Sequence, residues 1–322
     1  MQGICKLCRQ QKELRYSHIV PAFAVRWLKQ TSLTGYLKTF KSKVRVQETK
    51  RVYLLCADCE QIVGRDEKTF CEKIFIPYHE NNQQQFKYGL WLRRFIVALH
   101  WKVLVTREDE YPPKTEAIFA KAESDWRQFL LGQSTSPGTA EFHLFLSDIV
   151  QDTTGNLPSK INWYLSRGFD FTPMYSDLGM AGVYSMVVKT MTFSFLTPEL
   201  VADQMIGTQI NEHGVLKTGQ TIQTSMGSFI IGRAKAIEGM PKTISARQRE
   251  KLLERARTEP DKLARSESFR AFEADMQLKQ RRRRDKALRE EARRRMKGRN
   301  RNSPCPCGSG IKYKKCHGRP NP

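Results

Sequence analysis

The sequence has no apolar run long enough to cross a bilayer. Its most apolar stretch, Phe95 to Val105, is interrupted by His100 and Lys102 and falls well short of the roughly 20 residues a spanning helix needs. Membrane insertion is therefore not expected. No apolar leader follows Met1-Gln2-Gly3-Ile4-Cys5, so a reducing cytoplasm, in which cysteines stay thiols, is the expected setting. Acidic residues are also scarce, with 33 Asp and Glu against 55 Lys and Arg, a formal net charge of +22. Such an excess points to a polyanionic partner, whether DNA, RNA or the ribosome, with an anionic membrane surface the weakest alternative. Between residues 80 and 240 there is no Gly-rich phosphate loop, nucleophile elbow or pair of histidines, so no motif supports a hydrolase seated there.

What is present is an ordered set of thiols. The eight cysteines fall as Cys5, Cys8, Cys56 and Cys59, then Cys71 alone, then Cys305, Cys307 and Cys316, the last followed by His317. Thiolates and imidazole in paired spacing are the ligand set of structural zinc, and two such sites use every cysteine but one. Cys71 reads as a small buried hydrophobe, since no neighbouring base would activate it. The tail holds four soft ligands within thirteen residues and almost no apolar side chains. Zinc there would supply the roughly 10 to 16 kcal/mol that burial cannot. A disulfide pair is the competing use of the tail thiols.

Pro304 and Pro306 stiffen the chain around the first tail ligands, and Gly308 and Gly310 permit the reversal that returns Cys316-His317 to them. The stretch from Arg301 to Gly318, with Cys305-Pro306-Cys307-Gly308-Ser309-Gly310 and Cys316-His317, resembles the SEC-C motif, the small zinc-binding tail first recognised in the SecA preprotein translocase. It departs from the usual pattern at Ile311, where lysine is commoner. The resemblance implies a docking or accessory module that contacts proteins or the ribosome, and it assigns no reaction.

At the other end, Cys5-x-x-Cys8 and Cys56-x-x-Cys59 enclose Ser17-His18-Ile19-Val20-Pro21, and the second knuckle opens a helix. Residues 1 to 75 resemble the treble-clef frame of HNH-family endonucleases. The resemblance implies that His18 is the general base and that Glu60 and Glu67, two turns apart on one helix face, hold Mg²⁺ or Mn²⁺, with Asp66 as a substitute ligand. Ser17 stands where that family commonly has an acidic ligand, and no histidine follows Cys59 until His79. The structural alternative makes His18 a hydrogen-bonded core residue, with Glu60 and Glu67 capping and solvating a helix.

The pattern in between predicts an α+β fold with four parts. These are a treble-clef zinc module over 1–79, an α+β domain with an antiparallel sheet over 80–240, a basic helical segment over 241–300, and a zinc knuckle over 301–322. Tyr88, Leu92, Phe95, Ile96, Leu99 and Val103 recur at helical spacing from Phe86, with Arg93, Arg94 and Lys102 on other faces. A second helix follows Pro112-Pro113, with its stripe at Ile118, Phe119, Ala122, Trp126, Phe129 and Leu130. Phe142 to Leu146, Val183 to Val188 and Met191 to Phe195 read as strands, and His213-Gly214 and Thr218-Gly219 as turns. Ser245 and Gln248 are spaced for a capping box, and Pro260 suits the first turn of a further helix packing Leu263, Phe269, Phe272 and Met276 on the core.

Residues 279 to 301 carry 13 Lys and Arg against 3 Asp and Glu. Arg281, Arg282, Arg283 and Arg284 lie about three turns from Arg293, Arg294 and Arg295, a spacing suited to successive phosphates of a duplex or structured RNA. Few aromatics interleave with these arginines, which disfavours stacking on single strands at this helix. A solvated stalk carrying the zinc tail is the plainer reading. Two functions follow from the sequence: a metal-dependent HNH-like endonuclease that binds nucleic acid, or a non-catalytic zinc adaptor docking on a protein or ribosome through its tail.

Overall fold

The computed structural model describes residues 1–33, 35, 37–38, 45–46, 51–107, 111–150, 157–200, 205–238, 246–297 and 300–319. The N-terminal part opens with β1 (Gln2–Ile4) and β2 (Gln11–His18), then α1 (Ala22–Gln30), the two-residue ladder β3 (Leu37–Lys38) and β4 (Arg45–Val46), β5 (Arg51–Cys56) and α2 (Ala57–Phe70). Strands β1, β2 and β5 form one antiparallel sheet. The helix continues past α2 through a π-turn, Cys71–Phe75, into α3 (Ile76–Glu80). The widened turn carries Ile74 and Phe75 into the core, the local adjustment that π-bulges make inside α-helices. Cys71 is partly buried there, and desolvation pushes its thiol up, as expected of an inert packing residue.

Next come β6 (Gln85–Tyr88), α4 (Leu90–Thr106), α5 (Pro113–Leu130), β7 (Glu141–Leu146), α6 (Ile161–Arg167), β8 (Phe169–Tyr175), β9 (Ala181–Val187) and β10 (Thr190–Phe195). The main sheet runs β7-β10-β9-β8, antiparallel throughout. Alternation along its strands divides the core. Ala181, Val183 and Val187 face a cluster built on α4 and α5, whereas Tyr184 and Met186, with Met191, Phe193 and Phe195, face a second cluster under α6. Both faces are covered, so every residue of β9 and β10 is buried. The first cluster runs without interruption from Cys5 to Leu216, so packing continues across the boundary that composition suggests at residue 79.

Two sequence expectations change here. Phe86 and Tyr88 belong to β6, paired with β12 (Gly214–Lys217), and the helix begins only after Gly89. Both residues are buried in the strand, so alternation in β6 mimics helical spacing across the Gly89 break. Lys102 is not on a solvent face: α4 is buried nearly all round, and His100 and Lys102 are 0% and 2% exposed. Each has its charge or polarity answered. His100 reaches the Ser194 hydroxyl at 2.6 Å through Nδ1 and that of Thr192 at 2.9 Å through Nε2.

Strand β11 (Met205–Ile206) pairs with β13 (Thr221–Ile222), and α7 (Thr224–Glu238) adds Met226, Ile230 and Ala234 to the second cluster. The described chain ends in α8 (Ala246–Thr258), α9 (Pro260–Ala264) and α10 (Glu267–Arg295), followed by the cysteine-bearing knuckle. The expected box residue Ser245 lies outside the described residues. Pro260 stands in the first turn of α9 as expected, but α9 stops at Ala264 and Ser266 starts a new helix, its hydroxyl accepting from the Phe269 amide at 3.1 Å. That break rotates the apolar stripe. Ala271, Asp275 and Leu278 face the core, while Phe272 and Met276 are exposed.

Candidate metal centres and nucleic-acid interface

In the N-terminal centre, the turn after β1 presents Cys5 and Cys8, and the end of β5 with the first turn of α2 presents Cys56 and Cys59. All four sulfurs lie within 4.8 Å of one another. Cys8 Sγ and Cys56 Sγ are 4.0 Å apart, close to the ~3.8 Å edge of a tetrahedron built on ~2.3 Å Zn–S bonds. All eight cysteines are free thiols. The Cys56 amide donates to Cys5 Sγ at 3.3 Å. Burial works against a Cys5 thiolate, but the amides of Cys8, Cys56 and Leu7 more than offset it and hold the thiol at about 7. Cys59 is driven the other way by burial and by its neighbouring thiols. Four sulfurs this close, three of them on buried residues, do not ionise together without a cation among them, so the donor set fits zinc, which would supply purely structural cross-linking. Arg9, at φ +60° in the knuckle turn, anchors the module by pairing with Glu123 of α5 at 3.1 Å.

The C-terminal centre gathers Cys305, Cys307, Cys316 and His317 within the same 4.8 Å. Cys307 Sγ lies 3.7 Å from Cys316 Sγ, and His317 Nδ1 lies 3.3 Å and 3.4 Å from the sulfurs of Cys305 and Cys316. These too are tetrahedral edges for mixed sulfur and nitrogen ligands. The Ser309 hydroxyl and amide hold the Cys307 thiol at about 6, ready to ligate as thiolate. Gly308 and Gly310 take φ of +83° and +71°, the left-handed turn their absent side chains allow. Cys305, Tyr313, Ala292 and Met296 form a small cluster of their own, so the knuckle packs against the last turn of α10.

The candidate catalytic residues are not gathered in the same way. Among the described residues, the only groups of three or more ligand side chains placed to share a metal are the two cysteine centres. His18 ends β2, and Glu60 and Glu67 lie on α2. Glu67 is bound elsewhere: the ammonium of Lys102 sits 2.8 Å from its Oε1 and donates at 3.4 Å to the His18 carbonyl. One oxygen of the Glu67 carboxylate is thus already neutralised by a lysine cation. Asp66, the substitute ligand, is buried and accepts from Arg94 Nε at 3.0 Å, while Arg94 also donates to the carbonyls of Phe129 and Leu130. That joins α2, α4 and the end of α5. Glu60 Oε1 is buried with no hydrogen-bond partner.

Helix α10 is fixed at its base. Asp275 accepts from the amides of Asn162 and Trp163 at 2.9 and 3.0 Å, satisfying the first turn of α6. Buried Lys189 bridges Asp148 and Glu267, each at 3.1 Å. Beyond Leu278 the helix leaves the core. Arg281, Arg283, Arg284, Arg293, Arg294 and Arg295 are exposed and Arg282 is partly buried; Arg295 pairs with Glu291 on its own helix. The described residues include no helix long and apolar enough to cross a membrane.

Lys102, Arg94, Asp275 and Ser266 were not anticipated as structural anchors. A lysine inside the run Phe95 to Val105 was the available signal for the first, because a charge in a helix with no polar face must be paired. A family model for the SEC-C motif matches residues 301–319. No curated protein and no solved structure matches the chain. None of these comparisons shows the expected HNH-like module over residues 1–75.

Proposed function

We propose that the protein is a non-catalytic, zinc-framed adaptor that holds nucleic acid through α10 and docks on a protein or ribosomal partner through its C-terminal knuckle. The observation that carries this reading is the disposition of α10. One end is buried through Ala271, Asp275 and Leu278, the other is closed by the knuckle, and the Arg281–Arg284 and Arg293–Arg295 blocks lie on the surface between. Helical rise puts the blocks ~18 Å apart, a span that suits phosphates one groove apart on a duplex or structured RNA. The match of residues 301–319 to the SEC-C motif supports docking as the role of the tip.

The hydrolytic reading would use His18 as base and Glu60 and Glu67 as ligands of Mg²⁺ or Mn²⁺. The Lys102–Glu67 pair weighs against it, because an ammonium already held by one oxygen of that carboxylate repels a second cation there. The two readings separate in one assay of zinc-loaded protein with DNA and RNA, with and without Mg²⁺ or Mn²⁺. We expect binding without cleavage. Metal-dependent cutting that is lost in His18→Ala, with both zinc ions retained, would overturn the proposal in favour of the nuclease.

A further inference from the structure

The outer face of the β2–β5 pair carries two aromatic rings that the core does not use. Tyr16 and Tyr53 are 54% and 49% exposed, and their ring centroids lie 5.0 Å apart with a 40° tilt. They meet because of a β-bulge: the register runs Arg15 opposite Leu55 and then Tyr16 opposite Tyr53, skipping Leu54. Both leucines are thereby buried in succession, at 3% and 0% exposure, and Tyr53 is turned outward against Tyr16. Bulges re-aim side chains in this way, often beside functional sites. The next pair on the same face is His18 opposite Arg51. The Arg51 guanidinium lies over the Tyr16 ring, 5.9 Å from its centroid.

From this geometry we propose that Tyr16 and Tyr53, with Arg51, form a stacking platform for the bases of single-stranded nucleic acid. Tyrosine rings offer a flat apolar face that stays wet at one edge, which suits any unpaired base and none in particular. Arg51 adds a cation beside the rings, and exposed Arg15 and Arg26 lie on the neighbouring β2 and α1. The net charge of +22 favours a polyanion over an acidic-poor protein surface as occupant. The basic stretch of α10 beyond Leu278 has no aromatics and is suited to the phosphate backbone of paired strands. The platform supplies the other half, recognition of unpaired bases. The occupant would then be a nucleic acid with both kinds of segment, such as a stem with a single-stranded extension. This deepens the adaptor reading and rests on it.

The test uses the full zinc-loaded chain and fluorescence anisotropy with two labelled probes: an unstructured oligouridylate of about twenty nucleotides and a blunt duplex of equal length. Replacing both tyrosines, Tyr16→Ala with Tyr53→Ala, should weaken single-strand binding by about ten- to a hundredfold, the usual cost of removing aromatic stacking, and leave duplex binding within about twofold. Tyr16→Phe with Tyr53→Phe should bind like the wild type, because the rings and not the hydroxyls do the work. Photocrosslinking of a 5-iodouridine oligonucleotide should label Tyr16 or Tyr53. Single-strand affinity unchanged in the alanine variant, a phenylalanine variant as weak as the alanine one, or failure of the wild type to bind the oligouridylate overturns the platform. Duplex binding that persists in those cases leaves the adaptor reading intact. Loss of binding to both probes in the wild type removes that reading as well.

Discussion

Lys102 shows how one residue decides between two readings of a site. Its ammonium is almost fully buried and lies 2.8 Å from Glu67, whose side chain is 20% exposed. Removing one partner of such a pair leaves a charge in a poor solvent. Glu67→Gln should therefore lower stability by about 2–3 kcal/mol, read from urea unfolding, the lower end reflecting the partial exposure of Glu67. A metal-ligand role for Glu67 predicts little loss of stability and a loss of Mg²⁺ or Mn²⁺ affinity instead. The buried histidines give a second prediction. Desolvation lowers His79 to about 4, His100 to about 3 and His143 to about 4, so all three stay neutral when folded at pH 5.5. In the unfolded chain each takes a proton near 6.5. Their contribution is fully present above about pH 6.5 and falls as pH drops toward about 4, by at most about 1.4 kcal/mol per pH unit for each. Imidazole resonances of the three should not titrate between pH 5.5 and 7.5; a midpoint near 6.5 for any of them would contradict its burial. At this scale the sequence was informative for the cysteines, because ligand spacing is local. It marked Lys102 as a charge needing a partner but could not name Glu67, 35 residues away, and it was silent on Asp275, whose partners lie over 110 residues away.

Among the elements, periodicity was sufficient wherever one face is apolar. The stripe of α5 places Phe119, Ala122, Trp126, Phe129 and Leu130 in the core as expected, and alternation locates β7, β9 and β10. It failed where a short element abuts a long one. The strand β6 joins α4 across Gly89, and α9 joins α10 across Ser266; in each case residues from two elements fall by chance into one helical pattern. The consequence for α10 is concrete, since its buried face is set by Asp275 and not by Phe272. Asp275→Ala would leave the amides of Asn162 and Trp163 without acceptors at the start of α6. We expect a loss of about 2 kcal/mol, with faster hydrogen exchange at those two amides. Unchanged exchange there would mean that α6 does not depend on α10.

The described residues centre on a four-stranded sheet covered on both faces, with a four-cysteine cluster in the N-terminal part and a basic helix followed by a second four-ligand cluster at the C-terminal end. Composition alone made the two ends legible, because thiols and arginine runs announce themselves without tertiary context. The middle could be assigned a class and no chemistry, since its residues are given over to packing. On the proposed reading function resides at the surface: the arginines of α10 would answer the phosphate charge, and metal held by the two four-ligand clusters would keep the supports rigid. Salt dependence measures that claim most directly. Binding of the zinc-loaded chain to a structured RNA or DNA stem, titrated between about 50 and 200 mM salt, should weaken steeply, with log K falling by about 0.9 per phosphate neutralised for each decade of salt. Replacing Arg281, Arg283, Arg284, Arg293 and Arg294 with Gln should reduce that slope by about 3 to 5. An affinity indifferent to salt, or a slope unchanged by the five substitutions, would contradict the account.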